Sequence, residues 1–406
     1  MLQSTIQLYQ NAYAGLSREV WILSIISLIN RAGAMVFPFL TIYLTHNLGF
    51  TLKEAGLIMS FFGLGSILGA YIGGWLTDRI GSYQVQFWSL FLSSFVILFL
   101  LYAKSFWALA IVAFTFSTIV DAFRPANKVA VAEYSQPENL TRSFALLRLA
   151  INLGFAIGPA MGGILAAWKG YDWLFYIDAL TCFSAAILFK LFLKDDFKEN
   201  SRPYNQEKED TISPAQHSPY QDKTFLIFLV IIALSAFAFL QLFYTIPIFY
   251  KQEIGLGEGE IGLLMSINGS IIVLIEMPLV YLVDKQYSKF ASMTLGALLI
   301  GIGFLVFTFP IFGLGIAALS MCFLTFGEIF YMPFASAFVA IRAGENNRRE
   351  YMALYTMAWA AASVVAPLSG LYISETFGFN SLWFLLFTIG VIGSFGFWLL
   401  GRQNSD

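Results

Sequence analysis

Asp121, Arg124 and Lys128 follow one another at spacings of three and four inside an apolar stretch, so a helix through them carries all three on one face. Arg31, Glu276 and Glu328 also stand deep in apolar runs. In hydrocarbon each such group costs roughly 2.5 kcal/mol or more unless it is paired or wetted, which makes these residues functional candidates. The chemistry open to the carboxyls is proton binding: desolvation holds the acid neutral in one state, and it ionises in another. Glu328 suits this best, because Phe326, Phe330 and Tyr331 flank it and no base stands within four positions. Asp121 has Arg124 one turn away to keep it ionised, so it is either a structural ion pair with Arg124 or Arg31 or a coupling group. Glu276 is either a second protonation site or a partner for Arg342 or another basic residue.

The elements that must position these groups follow from composition. With 58% hydrophobic and 12% charged residues, the 406-residue chain is not an ordinary soluble protein, whose charged share is about twice as high. Its mean hydropathy of +0.72 says the same. Apolar runs of spanning length centre on 20–44, 55–76, 86–103, 106–132, 144–168, 172–193, 224–250, 260–283, 290–310, 312–341, 351–374 and 381–401, six before a polar stretch and six after it. Gly and Pro inside several runs predict kinks and not breaks, since neighbouring helices can re-satisfy freed backbone groups.

With a cytoplasmic N-terminus, the inner segments hold fourteen basic residues: Arg18, Arg79, Arg142, Lys194, Lys198, Arg202, Lys208, Lys223, Lys285, Lys289, Arg342, Arg348, Arg349 and Arg402. The outer loops hold four, Lys53, Lys104, Lys169 and Lys251. This split places both termini in the cytoplasm. The polar stretch 194–223, rich in Pro, Ser, Glu and Lys, reads as a linker between two bundles at 1–193 and 224–406. No cleavable signal peptide is expected, since the first apolar run is too long for one. Cys182 and Cys322 both lie within spans and read as packing residues, so neither a disulfide nor a metal site is expected. His46 falls in an outer loop and His217 in the linker, and no HExxH or exposed nucleophile motif is present, so the chain does not read as an enzyme.

The chain repeats itself. Glu54-Ala55-Gly56-Leu57-Ile58-Met59-Ser60 returns as Glu260-Ile261-Gly262-Leu263-Leu264-Met265-Ser266, an offset of 206. Asp121 then faces Glu328 at 207, and Pro159 with Gly162 faces Pro367 with Gly370 at 208. Repeats of this kind build many secondary transporters, with the substrate site near the midplane between the halves. On the fifth run, Gly154, Gly158, Pro159, Gly162 and Gly163 sit in a string that permits close helix approach and bends its helix. The string resembles the GxxxGPxxGG pattern of drug:proton antiporters of the major facilitator superfamily. Gly74, Asp78, Arg79 and Gly81, between the second and third runs, resemble that superfamily's GxLaDrxGrk loop, although Ser82 and Tyr83 stand where its basic pair belongs. The mirrored loop keeps Asp284-Lys285.

The resemblance implies an all-α integral membrane protein, twelve transmembrane helices in two pseudo-symmetric six-helix bundles. Its first, fourth, seventh and tenth helices would line a central cavity, bringing Arg31, Asp121, Arg124 and Glu328 to face one another. Aromatic residues Tyr244, Phe330, Tyr331 and Trp359 would complete a surface suited to amphipathic or cationic organic molecules. Asp78 with Arg79 would latch the outward-facing state; the other reading is a solvated topogenic loop. Arg148, near an inner helix end, is a gating or anchoring group. The family's fourth-helix RxxqG pattern is half met, because Asn127-Lys128 replaces Gln-Gly after Arg124. Asp178, on a peripheral sixth helix, reads as a structural hydrogen bond or ion pair. The function implied is alternating-access, proton-coupled efflux of hydrophobic or amphipathic compounds from the plasma (inner) membrane. The alternative is a proton-coupled importer of a small metabolite or peptide, since Asn30-Arg31-Ala32-Gly33 loosely resembles part of the ExxERF region of oligopeptide transporters, without its glutamates. The partners are a small molecule, protons and lipid, for a monomer that needs no cofactor and no nucleic acid.

Overall fold

The computed structural model describes residues 15–136, 140–194, 218–309, 313–343 and 348–403. Residues 195–217 of the expected linker, with Lys198, Arg202, Lys208 and His217, lie outside them, as do the side chains of Arg142, Lys285, Arg348 and Arg349. The described chain is helical throughout and has twelve helical segments long and apolar enough to cross a membrane. Those that matter most here are the first (Arg18–Asn47), second (Leu52–Ile80), fourth (Phe106–Glu133), fifth (Ser143–Lys169), sixth (Asp172–Phe192), seventh (Lys223–Tyr244), tenth (Leu314–Ala343) and eleventh (Glu350–Phe377). Several helices begin on a side-chain cap. The hydroxyls of Ser17, Ser105 and Ser288 and the carboxylate of Asp222 each accept a first-turn N–H.

Proline acts in two ways. Pro125, Pro159, Pro278, Pro333 and Pro367 all sit inside continuous helices, as expected. The first span, however, is broken: one helix ends at Gly33 and a second runs Val36–Ile42 before a π-helical turn at Tyr43–Asn47. Past Tyr244 the seventh is interrupted at Thr245, followed by Ile246–Phe249 and a π-helical turn at Tyr250–Ile254. These breaks correct the expectation of kinks alone. Pro38 and Pro247 have no N–H, and their rings crowd the carbonyls of Ala34 and Phe243 four residues earlier, so the helix restarts just ahead of each.

By compactness the described residues form two units, one of residues 15–36 with 65–194 and the other of 37–64 with 218–403. The first has a core around Leu23, Ile26, Leu90, Phe123, Leu147 and Phe189. The second is built around fully buried Trp383, whose ring stacks on Phe304 at 5.7 Å and meets Phe249 edge-on at 5.1 Å. Within that second unit the second span closes on the eleventh. A Cβ on Gly56 would lie 2.7 Å from the Pro367 carbonyl oxygen, and one on Gly63 would lie 2.6 Å from that of Ser363. Between them the Ser60 hydroxyl donates to the Val364 carbonyl at 2.7 Å. At the end of this seam Glu375 accepts the Lys53 backbone N–H at 2.7 Å. Small residues here let two backbones touch, the main source of attraction between helices in lipid.

At the other end of the second unit Asp222 ties three spans. It accepts the Phe225 N–H at 3.1 Å, Nε and Nη2 of Arg342 at 2.8 and 2.9 Å, and the Tyr351 hydroxyl at 3.0 Å. Burial opposes its charge, but the bonds from Arg342, Phe225 and Tyr351 outweigh it and hold the carboxyl below the usual carboxylate range. A depressed folded-state value means the stabilisation is present above the unfolded carboxylate value and is lost as pH falls through the folded one. Asp222→Asn should therefore lower stability by about 2 kcal/mol at neutral pH, and the difference should shrink on acidification. Thermal melts of the detergent-solubilised proteins across pH check this; equal melting at neutral pH contradicts it.

Candidate functional site

In the first unit Asp121 is buried and Arg124 Nε lies 2.7 Å from its Oδ1. One helical turn delivers this pair, as the spacing requires. Asp121 Oδ2 is buried and accepts no hydrogen bond among the described residues. Arg31 lies in the same electrostatic neighbourhood, acted on by both Asp121 and Arg124, with its guanidinium 5.4 Å from the Phe155 ring centroid. Lys128, on the same face of the fourth span, is exposed. One turn on from Arg124, Asn127 donates to the Ser27 hydroxyl at 2.9 Å and so ties the fourth span to the first.

The fifth-span string holds Arg31 in place. A Cβ on Gly154 would lie 2.5 Å from Arg31 Cβ, and one on Gly158 would lie 3.1 and 3.2 Å from the carbonyl oxygens of Arg31 and Ala32. Pro159 continues the helix, and Gly162 and Gly163 are buried. The mirrored Gly370 does the same in the second unit, where the amide of fully buried Gln241 lies against it. Gln241 Nε2 also donates to the Ala366 carbonyl at 2.9 Å, and its Oε1 accepts from Thr245 at 2.9 Å. Each half thus sets a polar side chain against a glycine of the neighbouring span.

The second unit also carries the aromatic surface. Phe37 lies 5.3 Å from Phe62, 6.0 Å from Phe243 and 6.0 Å from Tyr244 by ring centroids. Phe243 reaches Phe239 at 5.8 Å, and Phe239 reaches Trp359 at 6.0 Å. Phe37, Phe62, Phe243 and Trp359 are only partly buried. Phe330 is half-buried, whereas Tyr331 is fully buried with its ring 5.9 Å from that of Phe397, on the twelfth span. Glu328 is half-buried on the tenth span and one carboxylate oxygen accepts from Asn268 Nδ2 at 3.1 Å. The same amide donates to Thr325 Oγ1 at 3.0 Å. Glu276 is buried on the eighth span.

The loop residues are arranged simply. Gly81 has φ +88° and opens the third span, Gly74 faces open space, and Asp78 is exposed. Arg79 stacks over Trp75 at 4.0 Å. Asp284 is exposed with Lys289 Nζ at 3.4 Å, and Arg148 is exposed in the third turn of the helix that runs Leu140–Lys169. Asn268, Asn127 and Gln241 are not among the site residues expected from the sequence. The available signal was an uncharged amide at membrane depth, which costs less than a charge but still needs a partner.

The family model described as Major Facilitator Superfamily matches residues 20–367 and again 228–406. The chain belongs to the Major Facilitator Superfamily and is a membrane transporter, not an enzyme. It is 25% identical over 398 residues to a Na(+), Li(+), K(+)/H(+) antiporter of Planococcus maritimus, covering 90% of this chain and 92% of that one. It is 22% identical over 280 residues to the quinolone resistance protein NorA of Staphylococcus aureus, covering 69% and 70%. Among solved structures, a POT family transporter in complex with a thioalcohol-conjugated peptide superposes with a TM-score of 0.82 at 15% identity, over 98% of this chain and 99% of that one. That likeness is one of fold.

The glycine contacts generate a test. A leucine at 158 must push the first span off the fifth, an overpacking cost of about 1–3 kcal/mol, but it adds nothing that hinders residence in lipid. Gly158→Leu should reach the membrane at the wild-type level and transport at least about tenfold more slowly. Membrane yield and transport rate are measured side by side; normal transport would show that the contact is not needed.

Proposed function

We propose that the chain is a proton-coupled antiporter that exports hydrophobic or amphipathic organic compounds, cations among them, by alternating access. The observation that carries this is a half-buried carboxyl on the tenth span, Glu328, that accepts a hydrogen bond from the Asn268 amide at 3.1 Å. Asp121 lies 2.7 Å from the Arg124 guanidinium as one half of an ion pair. Glu328 accepts from a neutral amide, a partner that a carboxylate and a protonated acid can both keep through an oxygen. Glu328 is then the exchangeable proton site and Asp121 a fixed counter-charge for Arg31 and Arg124. The partly exposed ring series from Phe62 through Phe37 and Phe243 to Trp359 supplies area and π-faces for an apolar cation. The antiporter and quinolone-resistance relatives support the direction of transport.

In this reading residues 1–193 and 224–406 are the moving six-helix halves, both termini are cytoplasmic, and the protein works as a monomer in the inner membrane. The seam of the second and eleventh spans is the closed outer side of one state, and exposed Asp78 belongs to a latch made in the other. Glu276 is a further candidate for proton traffic. The second reading, proton-coupled import of a small metabolite or peptide, has the POT-family likeness in fold behind it.

Inverted vesicles holding a proton gradient separate the readings. Ethidium added outside should be taken up against its own gradient and should discharge the proton gradient; added sodium or potassium doing so alone would make the cargo a monovalent cation. Glu328→Gln should lose gradient-driven uptake about a hundredfold or more, as loss of a general acid–base group does, yet still exchange preloaded ethidium. Asp121→Asn should mainly lower yield and stability. Unchanged gradient-driven uptake in Glu328→Gln vesicles moves the coupling role to another carboxyl.

A further inference from the structure

Asp178 is 3% exposed on the sixth span and faces the break in the first. There the chain leaves its first helix with Ala34 at φ −70° and ψ 58°, and the Met35 N–H turns back to the Gly33 carbonyl at 2.6 Å. The helix restarting at Val36 has no preceding turn to receive its first N–H groups. Asp178 supplies an acceptor, its carboxyl taking the Val36 N–H. One turn along the sixth span Thr181 sits so close to Gly33 that a Cβ there would collide with its side chain. The break is therefore docked on the sixth span at two points.

The surroundings of Asp178 are polar. Cys182 Sγ donates to its Oδ1 at 3.6 Å, and Asn30 Nδ2 donates to that sulfur at 3.5 Å. Ser93 of the third span also bonds to Cys182. Arg31 is the charged group of the first span that acts on Asp178, and Asp121 with Arg124 of the fourth act in turn on Arg31. The fifth span brings Gly154 and uncharged Phe155 to Arg31. Arg31 is thus shared between two buried acids, of which Asp121 already has Arg124.

We propose that Asp178 is a further proton-binding residue, and that its protonation releases the Val36 N–H and loosens the break at residues 33–36 from the sixth span. Ionised, Asp178 takes a charge-assisted bond from Val36 and shares Arg31. Protonated, it is a weaker acceptor for the backbone, and Arg31 turns fully to Asp121. The inference rests on the proton-coupled reading above and adds a proton site in the first half to Glu328 in the second.

The test uses purified full-length protein with no transported compound, so its failure is distinct from failure of the export reading. Hydrogen exchange of the amides from 34 to 37, corrected for the intrinsic pH dependence, should rise roughly tenfold between neutral and mildly acidic pH in the wild type, the effect of losing one ordinary hydrogen bond. In Asp178→Asn the exchange should be fast at both pH values. The infrared difference spectrum between the two pH values should contain a protonated-carboxyl band that Asp178→Asn removes and Cys182→Ser keeps. Exchange of these amides that is pH-independent in the wild type overturns the proposal even if the variant fails to fold. So does a carboxyl band that survives in Asp178→Asn.

Discussion

Hydrocarbon offers no hydrogen bonds, and this one property of the solvent shapes the whole protein. Every backbone group at depth must find a partner within the chain, which makes the spans helices and makes each interruption an obligation on some side chain. The two interruptions meet it locally. At the first, Asp178 accepts the Val36 N–H. At the second, the Thr245 N–H and hydroxyl both turn back to the Gln241 carbonyl, at 3.1 and 3.2 Å, while the Gln241 amide reaches across to the eleventh span. Groups that close a break are thereby bound to a neighbouring span, and a change in either is felt by both.

The same solvent removes the hydrophobic drive between helices, so contact depends on shape. Glycine contacts at Gly154 and Gly158, at Gly370, and along the Gly56 to Gly63 seam bring backbone against backbone or polar side chain. Such contacts hold only within a few tenths of an ångström, because dispersion falls steeply with separation. They are therefore made or unmade as a set. A protein that must pass between two arrangements is served by contacts of this kind, whereas interdigitated large side chains would resist separation.

Much of this was legible in the chain. The number and order of the twelve spans were readable from the apolar runs, because length and hydropathy decide membrane residence. The Asp121–Arg124 pair was legible because its partners are one turn apart. The breaks were not. Proline stands in the fourth, fifth, eighth, tenth and eleventh spans without breaking them. What distinguishes Pro38 is acceptance of the freed backbone by Asp178, which is 140 positions away in the chain. Asn268 escaped for the same reason, since Glu328 is 60 positions from it in sequence and 3.1 Å in space. Local pattern yields the elements, and the partners that give a buried polar group its role come from tertiary packing.

The central claim is that a proton and an organic cation exclude one another at a carboxyl on the tenth span. Adding ethidium to concentrated, weakly buffered protein in detergent and following the bulk pH tests it without any membrane. Competition predicts acidification that saturates with ethidium and approaches about one proton released per bound cation near the carboxyl's own titration range, with Glu328→Gln releasing none. Saturable ethidium binding with no pH change, or with proton uptake, would contradict the account.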